Sequence, residues 1–258
     1  MAERTRTGLG EFLRSRRARL TPAAVGLPDR GRRRTPGLRR EEVAELAGIG
    51  IDWYVRLEQG RDVSPSGTTV DALARALRLD GAEHAHLRAL AGPRGLPPFV
   101  RESVPDDLRR LLDTLTQPAY VTGRRWDLLA WNAAAADVFA GLVGLPEPDR
   151  NSLVYLFLEP DAKRLFGAGW ADDARRVLAK FRVAHDLHPA DPAFTGLTAR
   201  LRAGSPEFAR WWDRHDIDRG GSGHKTLHHP ERGALRFAYS SFHPTGNPAL
   251  KLVVYTPV

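Results

Sequence analysis

Residues 40–61 read REEVAELAGIGIDWYVRLEQGR, and the reading of this stretch decides the fold of the N-terminal third. Val43, Leu46 and Ala47 fall at helical spacing, and Gly48 stands where a helix ends in a left-handed residue. A second apolar set, Ile51, Tyr54 and Leu57, follows at the same spacing and is closed by Gly60. Two short helices with a small residue, Ala44, at their approach and a glycine at the turn have the layout of a helix-turn-helix. In that layout the second helix lies in the DNA major groove with its N-terminal part toward the base edges. Ile51, Asp52, Trp53 and Arg56 are therefore assigned to the groove side. Arginine can pair with guanine O6 and N7, a carboxylate can accept from cytosine N4, and an apolar group can touch a thymine methyl. Arg39 and Arg40 begin the supporting helix and Arg61 follows the second helix, so all three are placed for phosphates. Two of these residues have local alternatives. Asp52 would also serve as a cap for its own helix, and Trp53 would also pack against the adjacent loop.

Charge supports a polyanionic partner. The chain of 258 residues carries a net charge of +8. Residues 1–40 hold twelve arginines against Glu3, Glu11 and Asp29, so the whole excess sits there. The same region supplies further helices. Leu9, Phe12, Leu13 and Leu20 have helical spacing among arginines, and residues 21–37, with three prolines and three glycines, read as a loop. Val70, Leu73, Ala74 and Leu77 form one stripe, and Asp80 with Glu83 resembles a capping box before a helix over roughly 82–91. Five short helices are expected in the first ninety residues.

Residues 92–105 (GPRGLPPFVRESVP) are rich in Pro and Gly and read as a linker, with domains at 1–92 and 106–258 and the linker at 93–105. Beyond it, PAYVTGRRWDLLAWN (118–132) predicts two strands around a tight turn at Gly123, with Asn132 as the N-cap of the next helix. Residues 151–158 are apolar and fit helix or strand. Residues 172–186 are helical, and Ser205-Pro206 starts another helix. Strands are expected at 225–229, 234–242 and 250–256. The expected fold is thus multidomain: an all-α five-helix domain, then an α+β domain with an antiparallel sheet.

Composition excludes several chemistries. The chain has no cysteine, so disulfides, thiolate catalysis and zinc–thiolate sites are ruled out, and this fits a reducing compartment. The first residues, MAERTRTGLGEF, lack the apolar segment of a secretory signal, and no run is long and apolar enough to span a bilayer. A soluble cytoplasmic protein without membrane contact is expected. The histidine groups 84/86, 185/188 and 224/228/229 have plausible ligand spacing but sit at helix ends and turns, so no metal is expected. The sequence has no GxSxG, phosphate loop or HExxH, so no cofactor and no catalytic residue are assigned.

Residues 9–91 resemble helix-turn-helix domains of the Xre/Cro/C1 repressor family through REEVAELAG, RLEQGR and DALARALRL. With RRRTPGLRREEVAELAG, GRRWDLLAWN, SPEFARWWDRHD and LVVYTP, nearly the whole chain resembles MmyB-like transcriptional regulators, in which such a domain precedes a PAS-like ligand-binding domain. The resemblance implies a structural brace between Arg17 and Glu58. It departs from the family at Gly50, which stands where a Ser or Thr N-cap is usual; Gly is a tolerated cap. The arginines of the long loop, Arg32, Arg33 and Arg34, are placed to follow a phosphate backbone or the minor groove.

The second domain is rich in aromatic residues, most of them core. The resemblance implies a pocket for a small apolar or fatty-acid-like ligand, with Trp126, Trp131, Asn132, Phe139, Trp212, His215, Phe237 and Tyr239 as candidate lining. Arg124, Arg125 and His224 are further polar candidates, and for Asn132 a plain N-cap role is favoured. The leading expectation is a non-enzymatic, sequence-specific transcription regulator. It would bind a pseudo-palindromic operator in double-stranded DNA as a homodimer and answer to a small-molecule effector. The alternatives are a small-molecule enzyme with a DNA-binding appendage and a PAS-like dimerisation adaptor without ligand.

Overall fold

The computed structural model describes residues 7–28, 37–61, 63–92, 98–188, 191–218 and 222–258. Arg34, with Arg32 and Arg33, lies outside the described residues. The chain divides into two compact units, each described by itself. The first comprises Met1–Pro98 with His185–Thr195 and Arg214–Asp218, and the second comprises Phe99–Ala184, Gly196–Asp213 and Arg219–Val258.

Among the described residues the first unit is built on α1 (Thr7–Arg19), α2 (Arg40–Ala47), α3 (Ile51–Glu58), α4 (Gly67–Ala76) and α5 (Gly81–Ala91), with a short 3-10 turn at Ala23–Val25. Their core joins Phe12 and Leu13 of α1, Val43 and Ala44 of α2, Tyr54 and Leu57 of α3, Leu73 of α4 and Leu87 of α5, each nearly inaccessible to water. Gly48 ends α2 with φ +64°, its N–H donating to Glu45 O while the Ile49 N–H donates to Ala44 O. These bonds satisfy the last carbonyls of α2 and turn the chain into α3. The capping box at Asp80 and Glu83 forms as the sequence predicts, with both reciprocal bonds made.

Two apolar residues expected in this core are instead exposed. Leu46 is 36% exposed and Ile51 46% exposed. Helical spacing alone places Leu46 on the edge of the stripe. Ile51 is the first residue of α3 and projects from its outer side, which leaves only its groove-side assignment.

The second unit holds α6 (Asp106–Thr114), β1 (Ala119–Thr122), β2 (Leu128–Trp131), α7 (Ala133–Val138), α8 (Ala140–Val143), α9 (Ser152–Leu158), α10 (Pro160–Phe166), α11 (Trp170–Leu187), α12 (Pro192–Gly204), α13 (Pro206–Trp212), β3 (Ser222–His229), β4 (Gly233–Phe242) and β5 (Lys251–Pro257). The ends of α11 and α12 fall in the first unit. The ambiguous segment 151–158 is helical, because Asn151 caps it by accepting from the Leu153 and Val154 N–H groups. The strands form one antiparallel sheet in the order β2-β1-β5-β4-β3.

Strand alternation gives this sheet two faces. Ala119, Val121, Leu252 and Val254 point to one side and pack with Val104, Leu108 and Leu112 of the α6 region. Register places Tyr120 opposite Val253, Thr122 opposite Lys251 and Tyr239 opposite Tyr255, so these side chains share the other face. Phe237 on β4 and Lys225, opposite it on β3, continue that face.

Candidate functional site

The polar surface of α3 is built on one buried carboxylate. Glu58 ends α3 and its side chain has no exposure. Arg17 of α1 grips both oxygens, Nε to Oε2 at 3.0 Å and Nη2 to Oε1 at 2.8 Å, so the brace implied by the family resemblance is made. A third N–H of Arg17 donates to Leu38 O at 2.7 Å, tying the chain before α2 to the same guanidinium. Arg40 adds two bonds to Glu58 Oε1, at 3.2 and 3.1 Å. Burial works to raise the Glu58 pKa, but the bonds and charges of Arg17 and Arg40 outweigh it and hold the carboxyl below the ordinary glutamate range. Arg40, assigned to phosphate from sequence, is therefore committed mainly to this brace. Its half-exposed guanidinium leaves one edge toward solvent.

On the outer side of α3, Ile51, Asp52 and Arg56 are exposed. Among the described residues no hydrogen bond or ion pair engages the side chains of Asp52 and Arg56. Gly50 is the N-cap of α3 and makes no side-chain cap bond, so Asp52 lies in the first turn and caps nothing. It still favours the helix N-terminus electrostatically. Trp53 is half-buried and packs against the helical core, a different partner from the adjacent loop offered as its local alternative in the sequence. Arg39 is exposed at the N-cap of α2 and lies 3.8 Å from Glu41. Arg61 is exposed just beyond α3.

In the sheet-bearing unit the predicted lining residues separate. Phe139 and Tyr239 gather around Tyr255, with ring centroids at 5.1 and 6.0 Å, and Tyr120 and Phe237 join at 6.0 and 5.9 Å. Trp212 belongs to a different cluster, stacked on Phe208 at 5.4 Å beneath the Arg182 guanidinium. Trp131 lies under Arg150 and borders an open cleft of about 310 Å³ beside β2. His215 groups with the first unit, at a turn with φ +53°, where its carbonyl accepts from Arg16.

Several polar candidates are already engaged. Asn132 accepts from Ala119 and Ala135 N–H and donates to Leu115 O and Gln117 O, so it caps α7 and clasps the start of β1. Arg124 pairs with Glu102 at 3.0 Å and Arg125 with Asp127 at 2.8 Å. His224 is exposed. Among the described residues no group of three or more His, Cys, Asp or Glu is arranged to hold a metal.

Residues that the sequence reading passed over line the Tyr255 face. Lys251 is half-buried, and its ammonium lies 3.1 Å from the centre of the Trp126 ring. Lys225 lies 5.0 Å from the rings of both Phe166 and Tyr239, and Lys180 lies 5.7 Å from Tyr239. Asp173 is shared between Arg176 at 3.2 Å and Lys225 at 3.4 Å. Desolvation, then repulsion from Lys180 and Lys225, drives the Lys251 pKa well below the ordinary lysine value. The Tyr120 hydroxyl is pushed up to about 12 by burial.

Trp126 itself is held at φ +70°. Its N–H donates to Gly123 O at 3.0 Å, and the Gly123 N–H donates to Asp127 O, closing the β1–β2 turn. A left-handed conformation costs a side-chain-bearing residue roughly 1–2 kcal/mol, and glycine usually fills such a position. The signal for these residues was present in KLVVY (251–255), whose alternation puts Lys251 on the face of Tyr255. A lysine in a strand ordinarily reads as solvent-facing, so it drew no attention.

Comparison with known families matches residues 104–258 to the MmyB-like transcription regulator ligand binding domain and residues 8–87 to a helix-turn-helix domain. No curated protein matches the chain. Among the described residues no helix is long and apolar enough to cross a membrane.

Proposed function

The chain belongs to the MmyB-like transcription regulators, and from that premise we propose that it binds a pseudo-palindromic operator as a homodimer and senses a small apolar or fatty-acid-like molecule. The working division is a DNA-binding segment at 1–92, a linker at 93–105 and a ligand-binding and dimerisation segment at 106–258. The observation that carries the DNA side is the exposed trio Ile51, Asp52 and Arg56 on α3, with neither charged side chain engaged by another of the described residues. Arg56 reads a base edge and Asp52 accepts from cytosine, while Arg39, Arg61 and the free edge of Arg40 hold phosphates. Arg34 belongs to the same basic segment and is assigned to the backbone or minor groove. Trp53, half-buried against the core, is left a minor part in the groove.

On the ligand side, Phe139, Phe237, Tyr239 and Trp126 form the lining. The reading no longer uses Asn132, whose polar atoms are engaged, or His215 and Trp212, which lie in other clusters. The domain content is that of a regulator, and no catalytic step is assigned to it.

Native mass spectrometry of the full-length protein, with and without a pool of random-sequence duplexes, tests the whole reading. The expected result is a dimer that retains a small molecule and binds duplex with two protomers per DNA. A monomer that binds duplex singly would remove the palindromic part of the reading, and no duplex binding at low salt would remove all of it.

A further inference from the structure

Among the described residues the Tyr255 face of the sheet carries one ammonium, that of Lys251, that no carboxylate answers. Asp173 is already shared by Arg176 and Lys225. Among the described residues Lys251 has neither an acidic partner nor a side-chain hydrogen bond, and its ammonium meets only the face of Trp126. An ammonium removed from water and left without an anion is costly, so its usual place is the surface. Here two strands and a helix direct lysines inward instead: Lys225 from β3, Lys251 from β5 and Lys180 from α11, with Tyr239 of β4 beside Lys180 and Lys225.

Three features share this face with Lys251. Trp126 adopts a left-handed backbone that glycine would take without strain, and the conformation sets its indole against Lys251. Tyr120 and Tyr255 share one hydrogen bond at 3.3 Å, which leaves one of their two hydroxyl protons to donate outward. Thr122, opposite Lys251 in the register, has a buried hydroxyl with no partner among the described residues. A fixed cation, an available phenol proton and an unsatisfied hydroxyl on one face are the parts of an anion site, and the surrounding rings supply an apolar wall.

We propose that Lys251, backed by Lys225 and Lys180, is the counter-ion for a ligand carrying a carboxylate on an apolar body. This rests on the reading of the second unit as a ligand-binding domain and adds a charge requirement to it. The ligand's carboxylate takes the place of the missing acid at Lys251, and its body lies along Tyr120, Phe139, Tyr239 and Tyr255. A flat aromatic acid and a straight-chain acid share this chemistry, and the test separates them.

Isothermal titration of the full-length protein, freed of co-purified molecules, would use octanoate and 2-naphthoate, each against its neutral amide, octanamide and 2-naphthamide. The expected result is that at least one acid binds more than tenfold tighter than its amide, and the tighter acid tells chain from ring. Lys251→Met should erase that preference, lowering acid affinity more than tenfold with amide affinity unchanged, and Lys225→Met should lower it less. Lys251→Met should also raise the melting temperature of the unliganded protein, since it removes an unpaired buried charge; this readout shows that the variant is folded. Equal binding of acids and amides, or a Lys251→Met variant that keeps the preference, would overturn the counter-ion assignment and leave the ligand-binding reading standing. Failure of all four probes to bind would overturn both.

Discussion

At the scale of single residues, Glu58 organises the DNA-reading unit. It is a surface-like residue type at the end of an exposed helix, yet its side chain is wholly buried between Arg17 and Arg40. Removing one partner of a buried ion pair is costly because the remaining charges stay desolvated. Glu58→Gln should therefore lower unfolding free energy by about 3 kcal/mol in urea titration. Since Arg17 and Arg40 depress its folded pKa, Glu58 contributes stability that is fully present above the ordinary glutamate pKa and is lost as pH falls through the depressed value. The Glu58→Gln protein should show a flatter loss of stability on acidification than the wild type, and equal acid slopes would remove Glu58 from this role. Sequence reasoning found the Arg17 brace only through family resemblance. It missed Arg40, because the same basic residue at a helix start suits a phosphate equally well.

At the scale of elements, the two helices of the reading motif depend on glycines for different reasons. Gly48 has φ +64° with open space where a Cβ would stand, so Gly48→Ala meets backbone strain alone, roughly 1 kcal/mol. Gly37 has φ +86°, and a Cβ there would fall on the backbone of Arg17 and Ala18. Gly37→Ala should destabilise by clearly more than Gly48→Ala in thermal unfolding. Equal losses would contradict the close approach of this segment to α1. Such distinctions mark the limit of what the sequence shows. The cap at Asn132, the box at Asp80 and Glu83 and the turn at Gly48 are local, so residue type and spacing reveal them. α6 and α12 lie outside the expected elements although both carry local signals: Leu108, Leu111, Leu112 and Leu115 stand at helical spacing just past the Pro/Gly-rich linker, and Asp191 caps the start of α12 by accepting from the Ala193 N–H. The inward lysines were also missed, because their direction is fixed by sheet register and not by their neighbours in sequence.

At the scale of the whole molecule, positive charge gathers in the first forty residues and the reading helix presents a small exposed set. Affinity and specificity therefore come from different residues. Affinity for any duplex should fall steeply with salt as phosphate contacts release counterions, with a log–log slope of about −0.9 per phosphate contact. Arg39→Ala should make that slope shallower by about one unit without changing the preferred sequence. The central claim is that α3 reads bases through Arg56. Its most direct test is selection of bound duplexes from a random pool by full-length wild type and Arg56→Ala protein at one salt concentration. The account predicts that wild type enriches a two-fold symmetric sequence. The variant should keep non-specific affinity but lose discrimination at one base pair per half-site, worth about 1–3 kcal/mol. The same enriched sequence from both proteins, at the same affinity, would contradict it.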